Sequence, residues 1–298
     1  MDEIIRLDTV TQFNTLRGIE TLHPLVSVFD FSKMKLIPEA RANYGFYCVF
    51  LKEAVCGDLK YGCQYYDYQE GTLVFIAPNQ VLGIGNKPGN PAPKGWGLIF
   101  HPDLIRGTSL GTTIKQYTFF SYEANEALHL SQKERQIIMD CLNKIGYELE
   151  HSIDKHSKTL IATNIELLLN YCMRFYDRQF ITRSQVNKDI LGRFEKLLDN
   201  YFQSELVLAE GLPTVKYCAD QMHLSPNYFG DLIKKETGKS AQENIQLKVM
   251  ALAKDKIFDR SKTLSEIAYE LGFKHPQHFS RMFKNETGYT PNEYRSLN

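Results

Sequence analysis

What this 298-residue chain lacks first is an excess of charge of either sign, because 35 Lys and Arg are balanced by 35 Asp and Glu and the formal net charge at pH 7 is zero. That balance removes the overall basic footprint with which many nucleic-acid binders announce themselves. Metal-ligand spacing is missing too. Cys48, Cys56, Cys63, Cys141, Cys172 and Cys218 form no close pairs and have no His partners at zinc spacing, so they read as reduced thiols; a redox sensor would use Cys56 and Cys63. The start Met1, Asp2, Glu3 lacks the basic beginning and apolar run of a signal peptide, and no segment approaches a membrane span. A cytoplasmic protein without membrane contact is therefore expected. No nucleotide-binding loop and no Ser/His/Asp arrangement is legible, and no cofactor is expected.

What is there is one supersecondary pattern written twice near the C-terminus. The first copy begins Thr214, Val215, Lys216, Tyr217, Cys218, Ala219 and closes on Glu236, Thr237, Gly238. The second begins Thr263, Leu264, Ser265, Glu266, Ile267, Ala268 and closes on Glu286, Thr287, Gly288. A repeat at about fifty residues, with one inserted residue in the turn, points to two copies of a helix-turn-helix unit. In the second copy Thr263 and Glu266 make a capping box, Ile267, Ala268 and Leu271 supply an apolar face, Gly272 sits where the turn needs positive φ, and Pro276 restarts a helix. That helix buries Phe279, Met282 and Phe283 and points Gln277, His278, Arg281, Lys284 and Asn285 outward. In the first copy Phe229, Leu232 and Ile233 stand at the core positions, His223 replaces the turn glycine, and Asp231 replaces Arg281 on the outward face.

These passages, together with "SEIAYELGF", "HFSRMFKNETGYTPNEYR" and the connecting "IQLKVMALAKDKI", resemble the DNA-binding domain of the AraC/XylS family of bacterial transcription regulators over about residues 189–298. The resemblance implies two helix-turn-helix units facing the same side of an operator DNA, joined by a long helix. Here that helix would run from about Ala241 to Phe258 with Ile245, Val249 and Leu252 packed, roughly 26 Å at 1.5 Å per residue. Gln277, His278 and Arg281 would read bases, Asn227, Tyr228 and Lys234 would do so from the first unit, and Lys274 and Lys284 would hold phosphates. From Arg183 onward 17 basic residues face 15 acidic ones, so weak non-specific affinity is expected, with Glu195, Asp199 and Glu205 placed away from the reading face. The resemblance further implies RNA polymerase as a partner, a homodimer, and a cupin-like sensing domain for an unidentified small-molecule effector.

Upstream, the runs Val26 to Phe31, Tyr44 to Leu51, Leu59 to Tyr66, Leu73 to Ala77 and Trp96 to Phe100 are rich in aromatic and branched residues, and Gly83 to Gly97 is a turn cluster. Short strands of this kind suggest an antiparallel barrel or sandwich. Candidate pocket residues are Arg41, Tyr44, Phe46, Tyr66, Trp96 and His101, with Arg41 best suited to an anionic or sugar-like ligand; each aromatic reads more readily as core filler or surface strand residue, and Arg41 reads also as a solvated charge. Two amphipathic helices follow, one opened by a Ser131/Glu134 capping box. The second carries Ile161, Ile165, Leu168 and Cys172, a stripe that would serve a dimer or pack against the barrel. Ile181 to Lys188 reads as a hinge.

The expected fold is α+β: a cupin-like antiparallel barrel at 1–125, a helical dimerisation region at 126–180 and an all-α double helix-turn-helix domain at 181–298. Two other classes fit the residues less well. A metal-dependent cupin enzyme needs clustered His residues, whereas the barrel offers only His23 and His101, far apart. A DNA-repair methyl acceptor can carry the same double motif but needs a zinc-bound cysteine cluster that these spacings do not provide. The expected protein is thus a regulator and not an enzyme.

Overall fold

The computed structural model describes residues 4–38, 40–53, 71–84, 93–123, 126–151 and 153–296, and its internal contacts divide the chain into two units, residues 1–182 and 183–298. In the first unit β1 (Ile4–Leu7) leads into α1 (Val10–Arg17), whose start is closed by a reciprocal Thr9–Gln12 capping box, and then β2 (Val26–Asp30). The strands β3 (Ala40–Tyr44), β4 (Tyr47–Lys52), β5 (Thr72–Ile76), β6 (Val81–Ile84) and β7 (Gly95–Phe100) follow. Two short helices, α2 (Pro102–Ile105) and α3 (Ser109–Thr113), precede the two-residue strand β8 (Leu128–His129). The run expected at Leu59 to Tyr66, with the pocket candidate Tyr66 and the pair Cys56 and Cys63, lies outside the described residues.

The expected closed antiparallel barrel is corrected by two open sheets among the described residues. One has the order β1-β3-β6 and the other β2-β7-β4-β5-β8. The pairing of β1 with β3 is parallel, because a crossover through α1 and β2 separates the two strands. The run from Tyr44 to Leu51, expected as one strand, is broken at Gly45, where the chain leaves one sheet for the other. The Gly45 amide donates to the Leu7 carbonyl at 2.8 Å. A Cβ at Gly45 would stand 2.7 Å from the Asp8 carbonyl oxygen, so only glycine lets the corner close against β1.

Phe13 of α1 meets Phe29 at 5.3 Å and Phe46 at 6.0 Å between ring centroids, and these rings with Leu7, Tyr44 and Ile99 make the main core. A second apolar seam joins Phe75 of β5 through Phe119 to Tyr176, at 4.4 and 5.5 Å. Tyr176 belongs to the second of two long helices, α4 (Gln132–Glu150) and α5 (Ser157–Thr182). The Ser131/Glu134 box forms as expected, with Glu134 accepting from the Ser131 amide at 2.9 Å. Glu134 also receives Arg178 of α5 at 2.9 Å on each carboxylate oxygen, which pins the helices together.

This packing corrects the dimerisation stripe. Ile161, Ile165, Leu168 and Cys172 are all 0% exposed, consumed by contact within their own unit, so none of them is open to a partner. Burial also pushes the Cys172 thiol well above its ordinary value. The run Ile181 to Lys188, expected as a hinge, contains the boundary between the two units: α5 ends at Thr182 and α6 (Ser184–Gln203) starts two residues later.

The second unit continues through α7 (Leu206–Glu210), α8 (Val215–Met222), α9 (Pro226–Thr237), α10 (Ala241–Lys256), α11 (Leu264–Glu270), α12 (Pro276–Thr287) and α13 (Pro291–Ser296). In α10 the residues Ile245, Val249, Met250 and Ala253 are buried. Its 16 residues span about 24 Å.

Because Leu168 is buried, Leu168→Lys is expected to unfold the first unit rather than release a folded monomer. A buried unpaired ammonium replacing a packed leucine costs upwards of about 4 kcal/mol. Loss of the cooperative transition in urea followed by circular dichroism would show this, and a natively folded monomer by light scattering would contradict it.

Candidate nucleic-acid interface

Each helix-turn-helix copy is built by the same local chemistry. Thr214 caps α8 by accepting from the Tyr217 amide, and Thr263 caps α11 by accepting from the Glu266 amide. The turns then require left-handed backbone, which His223 adopts at φ 58° and Gly272 at φ 87°. Proline is the first residue of both following helices, α9 and α12, and both end on a left-handed glycine, Gly238 and Gly288.

The repeat extends past the helices into the turn that follows. Thr237 donates to the Ile233 and Lys239 carbonyls at 2.8 and 3.0 Å, and accepts from the Lys239 amide at 3.2 Å. Thr287 does the same with Phe283 and Tyr289 at 2.8, 3.0 and 3.2 Å. Capping pairs then open the next helix in both copies, Ser240 with Glu243 and Thr290 with Glu293. α13 is thus the counterpart of the first turns of α10.

The buried side of each copy is apolar. Phe229, Leu232 and Ile233 are fully buried, with Phe194 of α6 edge-on to Phe229 at 5.1 Å. Phe279 and Phe283 are fully buried, and Met282 is partly so. The opposite side of α9 exposes Asn227 and Lys234, and that of α12 exposes Gln277, His278, Arg281 and Lys284, with Lys274 exposed in the turn before it. Tyr228 is corrected: at 5% exposure it packs inward and does not present its ring to a ligand. Its position four residues before the buried Leu232 puts it on the inner side of the helix beside Phe229. Asp231 is half-buried.

The copies differ where α9 and α12 begin. Ser225 accepts from the Tyr228 amide at 3.3 Å, whereas His275, the cap of α12, makes no side-chain capping bond. The positive end of α12 is therefore flanked by Lys274, His275 and His278, the two imidazoles 5.5 Å apart. Glu270 of α11 binds Lys262 at 2.5 Å and Lys256 at 2.9 Å, and those two bonds hold its carboxyl below the ordinary carboxylate range. Lys248 of α10 pairs with Asp199 of α6. Part of the acidic charge of this unit is thus paired with lysines outside α9 and α12.

Close approach replaces side chains at one crossing. A Cβ on Gly272 would stand 2.9 Å from the Gly211 carbonyl carbon and 2.9 Å from Val207 Cγ2, so the turn of the second copy lies directly on the segment that leads into the first. Tyr201 holds that segment by donating to the Gly211 carbonyl at 2.9 Å.

Among the described pocket candidates of the first unit, Tyr44 and Phe46 share the core, whereas Arg41, Trp96 and His101 have other surroundings. Arg41 is exposed, whereas Tyr44 lies buried on the same strand and meets Phe46 edge-on at 5.7 Å within the core. Burial raises the Tyr44 phenol far above its ordinary value, with Cys48 adding to the rise and Arg17 opposing it. Trp96 is half-buried on β7, opposite Asp30 and Leu51. His101 caps α2 by accepting from the Asp103 amide at 3.2 Å. Two arginines outside the expected set are engaged by contacts distant along the chain and carry no local signal: Arg17 of α1 interacts electrostatically with Tyr44, and Arg295 donates to the Ile257 carbonyl.

A model of the helix-turn-helix domain family matches residues 218–296. The chain is 39% identical over 85 residues to the uncharacterized transcriptional regulatory protein YesN of Bacillus subtilis, covering 28% of this chain and 23% of that protein. It is 36% identical over 83 residues to the uncharacterized HTH-type transcriptional regulator YobQ of the same organism, covering 28% and 34%. The chain therefore spans about a third or less of the length of these relatives. Among solved structures, the C-terminal domain of AraT, a response regulator from Geobacillus stearothermophilus, is 26% identical at a TM-score of 0.33, covering 37% of this chain and 85% of that one.

The left-handed turns give a paired test. Gly272→Ala is expected to destabilise the second unit by about 2 kcal/mol or more, through positive φ and collision with Gly211 and Val207. His223→Gly is expected to stabilise it by up to about 1 kcal/mol. Urea midpoints measure both, and equal shifts of the same sign would contradict the assignment.

Proposed function

We propose, for a chain whose C-terminal region carries a helix-turn-helix domain of the AraC type, that it is a sequence-specific DNA-binding transcription regulator with two reading modules. The observation that carries this reading is the duplicated unit itself: in each copy one side of a 12-residue helix is sealed in a core while the other exposes polar side chains. Gln277, His278 and Arg281 suit base edges, since an amide, an imidazole and a guanidinium offer the donors and acceptors that the major groove displays. Lys274 and Lys284 suit phosphates, and the uncapped start of α12 adds amide donors beside Lys274. Asn227 and Lys234 are the corresponding groups of the first module, with Tyr228 removed from the set by its burial.

A joining helix of about 24 Å falls short of one duplex turn of about 34 Å by roughly one helix diameter, so α9 and α12 at its two ends suit adjacent major grooves. The near balance of charge favours recognition that depends on base contacts and on avidity rather than on bulk attraction. The first unit serves on this reading as the sensing part for a small-molecule effector, and a homodimer doubles the contact with the operator. With the Ile161, Ile165, Leu168 and Cys172 stripe buried, a dimer through α5 would use its exposed Leu160 and Leu167. RNA polymerase is the partner through which bound protein would act.

Selection of bound duplexes from a random pool, with and without a panel of small metabolites, tests recognition and response together. With the selected duplex, Arg281→Ala is expected to cost about 1–3 kcal/mol and to relax one base position. Lys284→Ala is expected to weaken all sequences alike and to reduce the salt slope by about one. Unchanged affinity and base preference in Arg281→Ala would remove that residue from the reading set.

A further inference from the structure

The carbonyls where the joining helix ends are gathered by one side chain. Helix α10 stops at Lys256 with Ile257 as its cap, and the carbonyls of a last helical turn have no partners within the helix. Arg295 of α13 supplies donors there: its Nε donates to the Ile257 carbonyl at 2.6 Å, and its Nη2 to the Asp259 and Lys262 carbonyls at 3.3 and 3.2 Å. The three acceptors lie at the beginning, middle and end of the loop between α10 and α11, so a single planar guanidinium holds the whole exit.

Arg295 is itself fixed to the second reading helix. Its neighbour Tyr294 lies edge-on to Phe283 of α12 at 5.2 Å and against Phe258 of the loop at 5.8 Å. Pro291 is buried where α13 begins. The direction in which the chain leaves α10 is thereby gauged against α12 rather than left to the loop. Asp259, which accepts from the Ser261 amide and hydroxyl at 3.0 and 2.6 Å, stiffens the loop from within. The first module is held otherwise, through the Tyr201 hydroxyl on Gly211.

We propose that Arg295 is a positioning residue: it sets the angle at which the second module leaves the joining helix, and through that angle the spacing between the two stretches of duplex that the modules read. The inference rests on the reading of both modules as DNA readers. Arg295 touches no base on this account, because its Nε and Nη2 are committed to backbone carbonyls.

The test uses the full chain and the duplex selected by it, with one or two base pairs inserted or removed between the two contacted stretches. The unaltered protein is expected to lose about tenfold in affinity per base pair of wrong spacing, the scale of one lost charged hydrogen bond. Arg295→Met, which keeps an apolar stem and removes the donors, is expected to flatten that preference to about twofold while leaving base preference at each position and the salt slope unchanged. Arg295→Lys, with no planar fork, is expected to fall between the two, and it carries the test should Arg295→Met fail to fold. Equal weakening at every spacing, with a lowered melting temperature, would mean a merely structural role and overturn the proposal. A salt slope reduced by about one would identify a phosphate contact and overturn it as well. Enrichment of no duplex by the unaltered protein defeats the DNA reading first, whereas enrichment with unchanged spacing preference in both variants defeats the positioning role alone.

Discussion

Two glycines in backbone contact hold the second unit together. Gly211 has φ 85° and Gly272 φ 87°, and a methyl group on either would meet the other's backbone at 3.1 or 2.9 Å. The chain entering the first module therefore lies on the turn of the second, with no side chain between them. Val207 closes one side of this crossing, and Phe202 and Leu212 reach the apolar cluster made by Val249, Ile267, Phe279 and Phe283. A joining helix alone would leave the two modules free to swing about its ends. The crossing and the Arg295 hydrogen bonds supply two further points of attachment.

In the first unit the comparable constraint is the corner at Gly45. It lets β3 and β4 belong to different sheets while α1 fills the space between them with Phe13. The outer face of the five-stranded sheet is then covered by α4 and α5, whose apolar stripes are spent on Phe75, Phe119 and their neighbours. Once those stripes are buried within one chain, whatever surface a partner uses must be made of other residues. The same economy applies to His101, whose imidazole is engaged in capping α2.

Much of the second unit was legible because its determinants are local. The capping box at Thr263/Glu266, proline at the start of α12, the left-handed turn at Gly272 and the sealed Phe279 and Phe283 all follow from residues a few positions apart, as does the Ser131/Glu134 box of the first unit, and all are found. The joining helix ends two residues earlier than expected, at Lys256. Tyr228 faces inward because it stands at i, i+4 to the buried Leu232, a relation that the sequence already contained. The run Ile181 to Lys188 does hold the division between the units, although no Pro or Gly marks it and helix resumes at Ser184.

The amino-acid order by itself determined the duplicated modules, their caps, their turns and their exposed polar rows, since each depends on interactions within about a dozen residues. Tertiary structure alone decided the two open sheets with a parallel β1–β3 pair, the inward fate of Leu168, the Gly211–Gly272 crossing and the grasp of Arg295 on the loop after α10. Each of these joins groups distant along the chain. Such contacts are settled by which apolar faces and unpaired carbonyls remain to be satisfied once the local elements have formed.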